Sequence, residues 1–300
     1  MRAPSRSGSG VVRANGIDLC YETLGDPADP ALLLVMGHGM QLDAWDRAFC
    51  ELFVERGHFL IRFDNRDVGL STKLVGVPDI DAARRGDRGA AVYGLEDMAD
   101  DAVGLLDALG VGRAHVLGAS MGGMIAQVLA IRHPGRVSSL CSIMSTTGDR
   151  AVGAARPDVL VAIRSGAART RAEIVEAQVE TARVLAGGGF PFDADTVRSR
   201  AAHAYDRCHH PEGKLRQQAA ILTAADRTPA LRRLRLPAVV VHGADDPLVG
   251  VDGGVATASA IPDARLVLVP GLGHELPVGV HATVVEEFAT NARRATAETP

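Results

Sequence analysis

Ser120 has the surroundings of a nucleophile. It lies in Gly118-Ala119-Ser120-Met121-Gly122, a G-x-S-x-G pentapeptide within the run HVLGASMGGMIAQ. A nucleophilic serine must project from a sharp strand-to-helix turn with a strained backbone. Glycines two residues to either side let neighbouring chain pass without Cβ clashes. Such a turn puts Ser120 at a helix N-terminus, where the positive end of the dipole favours developing negative charge, and frees the Met121 N–H to donate to an oxyanion. A glycine-rich dinucleotide turn would need G-x-G-x-x-G, and Gly118, Gly122 and Gly123 do not have that spacing.

A serine hydroxyl is a weak nucleophile until a base takes its proton, and the base needs an acid to orient it. Downstream of a serine in such an elbow the acid comes before the histidine. Residues 238–249 read AVVVHGADDPLV, a strand running into a loop with Asp245 and Asp246. Residues 267–277 read VLVPGLGHELP, a strand running into Gly-Leu-Gly-His274. Both groups thus fall at C-terminal strand ends, where crevices form in open α/β sheets. Asp246 is the expected acid, because Pro247 fixes the chain after it; Asp245 is the alternative. His274 is the expected base. The second oxyanion donor should come from Met36-Gly37-His38-Gly39-Met40. One register makes it the His38 N–H and the other the Met40 N–H; a strand ending near Met36 favours His38. Met36, Met40, Met121 and Met124 cluster near the expected site, and methionines there would suit an apolar substrate moiety.

The remaining histidines read as structural. His115 and His242 bound strands, His133 ends a helix before Pro134, and His203, His209 and His210 lack the matched spacing of metal ligands. No metal and no cofactor is expected.

Residues 31–148 alternate as β-α-β-α-β-α-β: strands at Ala31–Met36, Phe59–Phe63, His115–Leu117 and Val137–Met144, and helices at Leu42–Gly57, Leu95–Leu109 and Met121–His133. Alternation of this kind requires a mostly parallel sheet with right-handed crossovers. Upstream, Val11–Leu24 with Asn15-Gly16 reads as a hairpin of two edge strands. The first ten residues look disordered, the terminal ATAETP frayed, and residues 73–93 a long loop. Between about 155 and 230 the chain is helical without a convincing strand. The alternation then resumes with strands at Ala238–Val241 and Arg265–Val269 and helices at 251–260 and 281–294. The expected organisation is therefore a core of residues 11–150 and 231–296, with residues 151–230 inserted as a helical cap.

The polar loop Asp64-Asn65-Arg66-Asp67 through Thr72 needs internal hydrogen bonds, and Arg66 can bridge carboxylates bidentately. It reads as support for the oxyanion loop. Of 300 residues 47% are hydrophobic, enough for a sizeable core, and a net charge of −4 points to neither a nucleic-acid nor a membrane partner. Cys20, Cys50, Cys141 and Cys208 are widely separated with no C-x-x-C, and read as free thiols. Neither a signal-like apolar region nor a spanning run is seen, so a cytoplasmic protein is expected. The sequence leaves oligomeric state open.

The segments VMGHGMQLDAW, IRFDNRDVGLST, GASMGGMIAQ, HGADDPLV and PGLGHELP resemble the α/β-hydrolase superfamily, and within it the bacterial branch that includes aclacinomycin methylesterase. The resemblance covers about residues 20–290 and thins in the insertion to GGGFPFD, residues 187–193. It implies an α/β-hydrolase fold, Ser120, Asp246 and His274 as triad, His38 and Met121 as backbone oxyanion donors, and hydrolysis of a small apolar carboxylic ester. Many members of the family carry a small residue or leucine where this chain has His38. Serine at the elbow argues against epoxide hydrolases and dehalogenases, which need aspartate there. A carbon–carbon bond hydrolase, a cofactor-free perhydrolase or haloperoxidase, or a catalytically silent ligand-binding member would retain the same fold.

Overall fold

A computed structural model describes residues 7–164 and 169–297. Its eight strands form one sheet: β1 (Ser7–Ala14), β2 (Ile17–Leu24), β3 (Ala31–Val35), β4 (Phe59–Phe63), β5 (Ala114–Ala119), β6 (Val137–Ile143), β7 (Ala238–Gly243) and β8 (Arg265–Val269). They lie in the order β1-β2-β4-β3-β5-β6-β7-β8. The β1–β2 and β2–β4 pairs are antiparallel and the rest are parallel. β4 lies on one side of β3 and β5 on the other, so the winding reverses at β3. The C-terminal ends of β3 and β5 therefore flank the crevice characteristic of such a switch point.

The hairpin turn falls at Asn15 and Gly16, with φ of 46° and 79°, the two left-handed residues a type I′ turn needs. β1 begins at Ser7, so residues 7–10, expected to be disordered, are paired instead: Gly8 with Thr23 and Gly10 with Tyr21. Their glycine and serine composition hid a strand whose order comes from its partner. Residues 1–6 lie outside the described residues.

Helices cover both faces. α3 (Leu95–Ala108) and α4 (Met121–Arg132) build one apolar cluster with the alternate residues of the strands, among them Leu33, Ile61 and Val116. α1 (Arg47–Glu55) and α11 (Val278–Ala297) build the other, with Leu32, Leu34, Leu60 and Leu117. In this second cluster Phe53 and Phe288 meet edge to face with ring centroids 5.1 Å apart. Cover on both faces explains why β3 reads ALLLV with every residue buried.

Several expected boundaries move. The helix read over 42–57 starts only at Arg47, because the Asp46 carboxylate accepts the Ala48 and Phe49 N–H groups and caps α1 there. The loop expected over 73–93 contains α2 (Ile80–Arg84), capped by Asp79. The tail expected to fray continues α11 as far as Ala297. Between β6 and β7 come α5 (Pro157–Arg164), α6 (Arg171–Leu185), α7 (Ala194–Arg207), α8 (Pro211–Thr223) and α9 (Thr228–Leu231), with α10 (Val251–Ala260) following β7. Among the described residues no helix is long and apolar enough to cross a membrane.

Candidate active site

Ser120 sits between β5 and α4 with φ 56° and ψ −120°, a conformation rare outside glycine. The turn is held from below: the Ser120 N–H donates to Ile143 O at 2.9 Å, and Ser145 Oγ donates to Ser120 O at 2.9 Å. A Cβ at Gly118 would lie 2.2 Å from Gly122 O, and one at Gly122 would lie 2.0 Å from Val35 O. The glycines of the motif thus let the elbow close against itself and against β3.

The structure brings Ser120, His274 and Asp246 together. His274 Nε2 lies 3.0 Å from Ser120 Oγ, and His274 Nδ1 lies 2.8 Å from Asp246 Oδ2. A carboxylate only accepts, so Nδ1–H donates to it and Nε2 is left to accept the serine proton. The other Asp246 oxygen, Oδ1, accepts the N–H groups of Leu248 and Val249 at 2.9 and 2.8 Å, which locks the carboxylate in place. Asp246 is buried, whereas Ser120 and His274 keep partial exposure. Behind them, His242 Nε2 donates to Val249 O at 2.8 Å and lies 3.6 Å from Asp246 Oδ2. Burial pushes its pKa down, favouring the neutral ring.

Asp245 faces the other way. Its Oδ2 accepts the Gly271 N–H at 2.8 Å, and its own N–H donates to Leu272 O at 3.1 Å, fastening the loop that carries His274.

Gly37 faces the elbow: a Cβ there would lie 3.3 Å from Ser120 Cβ and 3.8 Å from its Oγ. The Met40 N–H donates to Gly37 O at 3.3 Å, while among the described residues nothing takes the His38 N–H. Met121 opens α4, where an N–H has no acceptor in the helix's own ladder. The His38 ring turns to the insertion, donating Nε2–H to Lys214 O at 2.8 Å. Burial lowers its pKa, and the nearby Lys214 charge acts in the same direction. Of the four methionines, Met121 and Met124 pack into the core on one sheet face and Met36 on the other; Met40 alone is half exposed.

The polar loop after β4 supports this strand edge. Asn65 Nδ2 donates to Met36 O at 3.0 Å, Asp64 Oδ1 accepts the Leu42 N–H at 2.8 Å, and Arg66 forks onto Asp101 at 2.6 and 2.7 Å. It also receives anchors from the insertion that residue types alone do not reveal. Arg216 forks onto Asp67 with both contacts at 2.9 Å, Arg207 reaches Asp64 at 2.8 Å, and Gln217 bridges the Gly39 N–H and Arg66 O at 2.7 and 2.8 Å. Among the insertion's unanticipated contacts is also one with the His274 loop, through the three consecutive glycines 187–189; that run was its only sequence signal.

The other histidines hold structural bonds: His115 Nδ1 with Ser139 Oγ at 2.8 Å, and His133 Nε2 with Asp100 at 2.7 Å. All four cysteines are free thiols. Among the described residues no group of three His, Cys, Asp or Glu could hold a metal ion.

The fold and the serine elbow place the chain in a known class, and it belongs to the α/β-hydrolase fold family, whose model matches residues 30–278. Within that class the chain is similar to the rhodomycin D methylesterase DnrP of Streptomyces peucetius, 31% identical over 95% of this chain and 98% of that protein. It is similar also to the rhodomycin D methylesterase DauP of Streptomyces sp. strain C5, 30% identical over the same shares. Among solved structures it resembles a hydrolase from Pseudomonas aeruginosa PA01, with a TM-score of 0.69, 26% identity and coverage of 94% of this chain and 98% of that one.

Proposed function

We propose that the protein is a serine-dependent carboxylic ester hydrolase that works through an acyl-enzyme on Ser120. The observation that carries this reading is the hydrogen-bonded run Ser120–His274–Asp246 at a strained elbow. Ser120 Oγ attacks the ester carbonyl as its proton passes to His274 Nε2. Asp246 holds the Nδ1–H tautomer and stabilises the imidazolium that forms. The oxyanion takes the N–H groups of His38 and Met121, which among the described residues have no other acceptor. His274 then protonates the leaving alcohol, water attacks the acyl-enzyme with His274 again as base, and the acid departs.

The two Streptomyces relatives are methylesterases, which supports a methyl ester as the substrate class here. We read residues 151–230 as a cap over the site; the seating of Lys214 and Gln217 of α8 on His38 and Gly39 supports that.

The test is turnover of p-nitrophenyl and methyl esters of graded acyl length by wild type and Ser120→Ala. The serine variant should lose on the order of 10⁴- to 10⁶-fold in kcat. Equal turnover by both proteins would end this reading.

A further inference from the structure

We propose that residues Leu185–Gly189 of the helical insertion, together with the Glu275 carboxylate, position His274, so that the insertion is part of the support of the base and not only a cover. The proposal rests on the reading of His274 as general base.

The loop 271–274 lacks regular structure of its own and is held between two neighbours. On one side the β7 loop grips it, through Asp245 and through the close approach of Gly243 to Leu272 O. On the other side lies the end of α6. The His274 N–H donates to Leu185 O at 2.8 Å and the Gly189 N–H donates to Gly271 O at 2.9 Å, a backbone clasp across the base. Glu275 closes it: Oε1 accepts the Gly187 N–H at 3.1 Å. The two segments touch main chain to main chain. A Cβ at Gly187 would lie 2.4 Å from both Gly271 O and Gly273 N, and one at Gly189 would lie 2.4 Å from the Gly271 α-carbon. No side chain fits there without moving the loop that carries His274. Phe190 continues the clasp by packing against Gly279 at the start of α11.

Gly187→Ala forces the clasp apart, Glu275→Ala removes its acceptor, and Glu275→Gln retains an acceptor oxygen without the charge. The experiment measures the rate of phosphonylation by a fluorophosphonate and the p-nitrophenyl ester kinetics, each per folded molecule. Gly187→Ala and Glu275→Ala should lose about 10- to 100-fold in both phosphonylation rate and kcat, as a base displaced by about an ångström would. KM should stay within about threefold, because uniform substrate binding is untouched. Glu275→Gln should recover most of the loss. A structural role alone would lower melting temperature and leave the rate per folded molecule unchanged. Wild-type rates in folded Glu275→Ala and Gly187→Ala, or a loss confined to KM, would overturn the proposal. Should wild type itself resist the fluorophosphonate, the esterase reading fails, and the clasp is judged without substrate by the downfield proton resonance of the His274 Nδ1–H. Loss of that signal in Glu275→Ala and its return in Glu275→Gln would uphold the clasp; an unchanged signal would refute it.

Discussion

The two walls of the site are built by opposite means. The wall that carries Ser120 is apolar and close-packed: β5 is buried along its whole length, and α4 is buried from Met121 to Ala130. The wall formed by the insertion buries mainly small apolar side chains, with Ala219 and Ala220 of α8 among them. α6 buries only Val175 and Val179, and α7 only Ala201. It is docked through a few polar anchors, the buried Arg216 on Asp67, the half-buried Arg207 on Asp64 and the buried Gln217 between Gly39 and Arg66. Apolar packing is tolerant of exchange at equal volume, whereas a buried ion pair fails when one partner goes. The difference teaches that the strained elbow is held by bulk, whereas the docking of the segment between β6 and β7 leans on single polar side chains.

The largest effect should separate the two adjacent aspartates. Asp246→Asn keeps the shape but loses the tautomer control of His274, and kcat should fall by about 10⁴-fold. Asp245→Asn still offers an acceptor to Gly271 N–H and should stay within about tenfold of wild type. Equal effects at both positions would remove the distinction between acid and fastener.

Next comes the anchoring of the insertion. Arg216→Ala leaves the Asp67 carboxylate buried without its partner and should cost about 3–5 kcal/mol in urea unfolding. A loss near zero would show that the insertion is docked by packing after all.

Acid should act on the packed wall. Burial lowers the pKa of His115 to about 4, from 6.5 in the unfolded chain. Between those values the unfolded state binds a proton that the folded state refuses, so stability is full above pH 6.5 and falls as pH drops toward 4. His115 alone contributes about 3 kcal/mol to that loss, and His242, His58 and His281, also lowered by burial, add in the same direction. Urea melts at pH 7.5 and pH 5 measure it, and His115→Gln, if it folds, should flatten the slope.

The smallest effect belongs to the outer face of the insertion. Arg198, paired with Glu176 and Asp195 at the surface, should be replaceable by alanine with no measurable change in melting temperature, since exposed ion pairs are close to neutral. A clear drop there would mean that the outer ion pairs hold the insertion together, and the contrast between walls would blur.

Much of this site is legible in sequence because its parts are local. The G-x-S-x-G turn, the strand running into Asp246 and the strand running into Gly-Leu-Gly-His274 each carry their reason within a dozen residues: an apolar run buried on both faces, then small residues where backbone must approach backbone. Alternating apolar runs likewise fixed β3, β4, β8 and α10 to the residue or within one of it. Only the first half of β1 escaped, because Ser7, Gly8, Ser9 and Gly10 form a strand only by pairing with β2.

What the sequence by itself determined is the chemistry on offer: a serine at an elbow, two candidate acids, one candidate base and two candidate oxyanion registers. Tertiary structure alone decided between neighbours. Asp246 and Asp245 are chemically identical and adjacent, and only the direction each side chain takes from the β7 loop sends one to His274 and the other to Gly271. The Met40 N–H is engaged by its own turn at Gly37 O, while among the described residues no acceptor takes that of His38. The clasp of Leu185–Gly189 on the His274 loop joins segments about ninety residues apart, a contact that no local pattern encodes, because backbone-to-backbone approach leaves as its only trace in the sequence the absence of side chains.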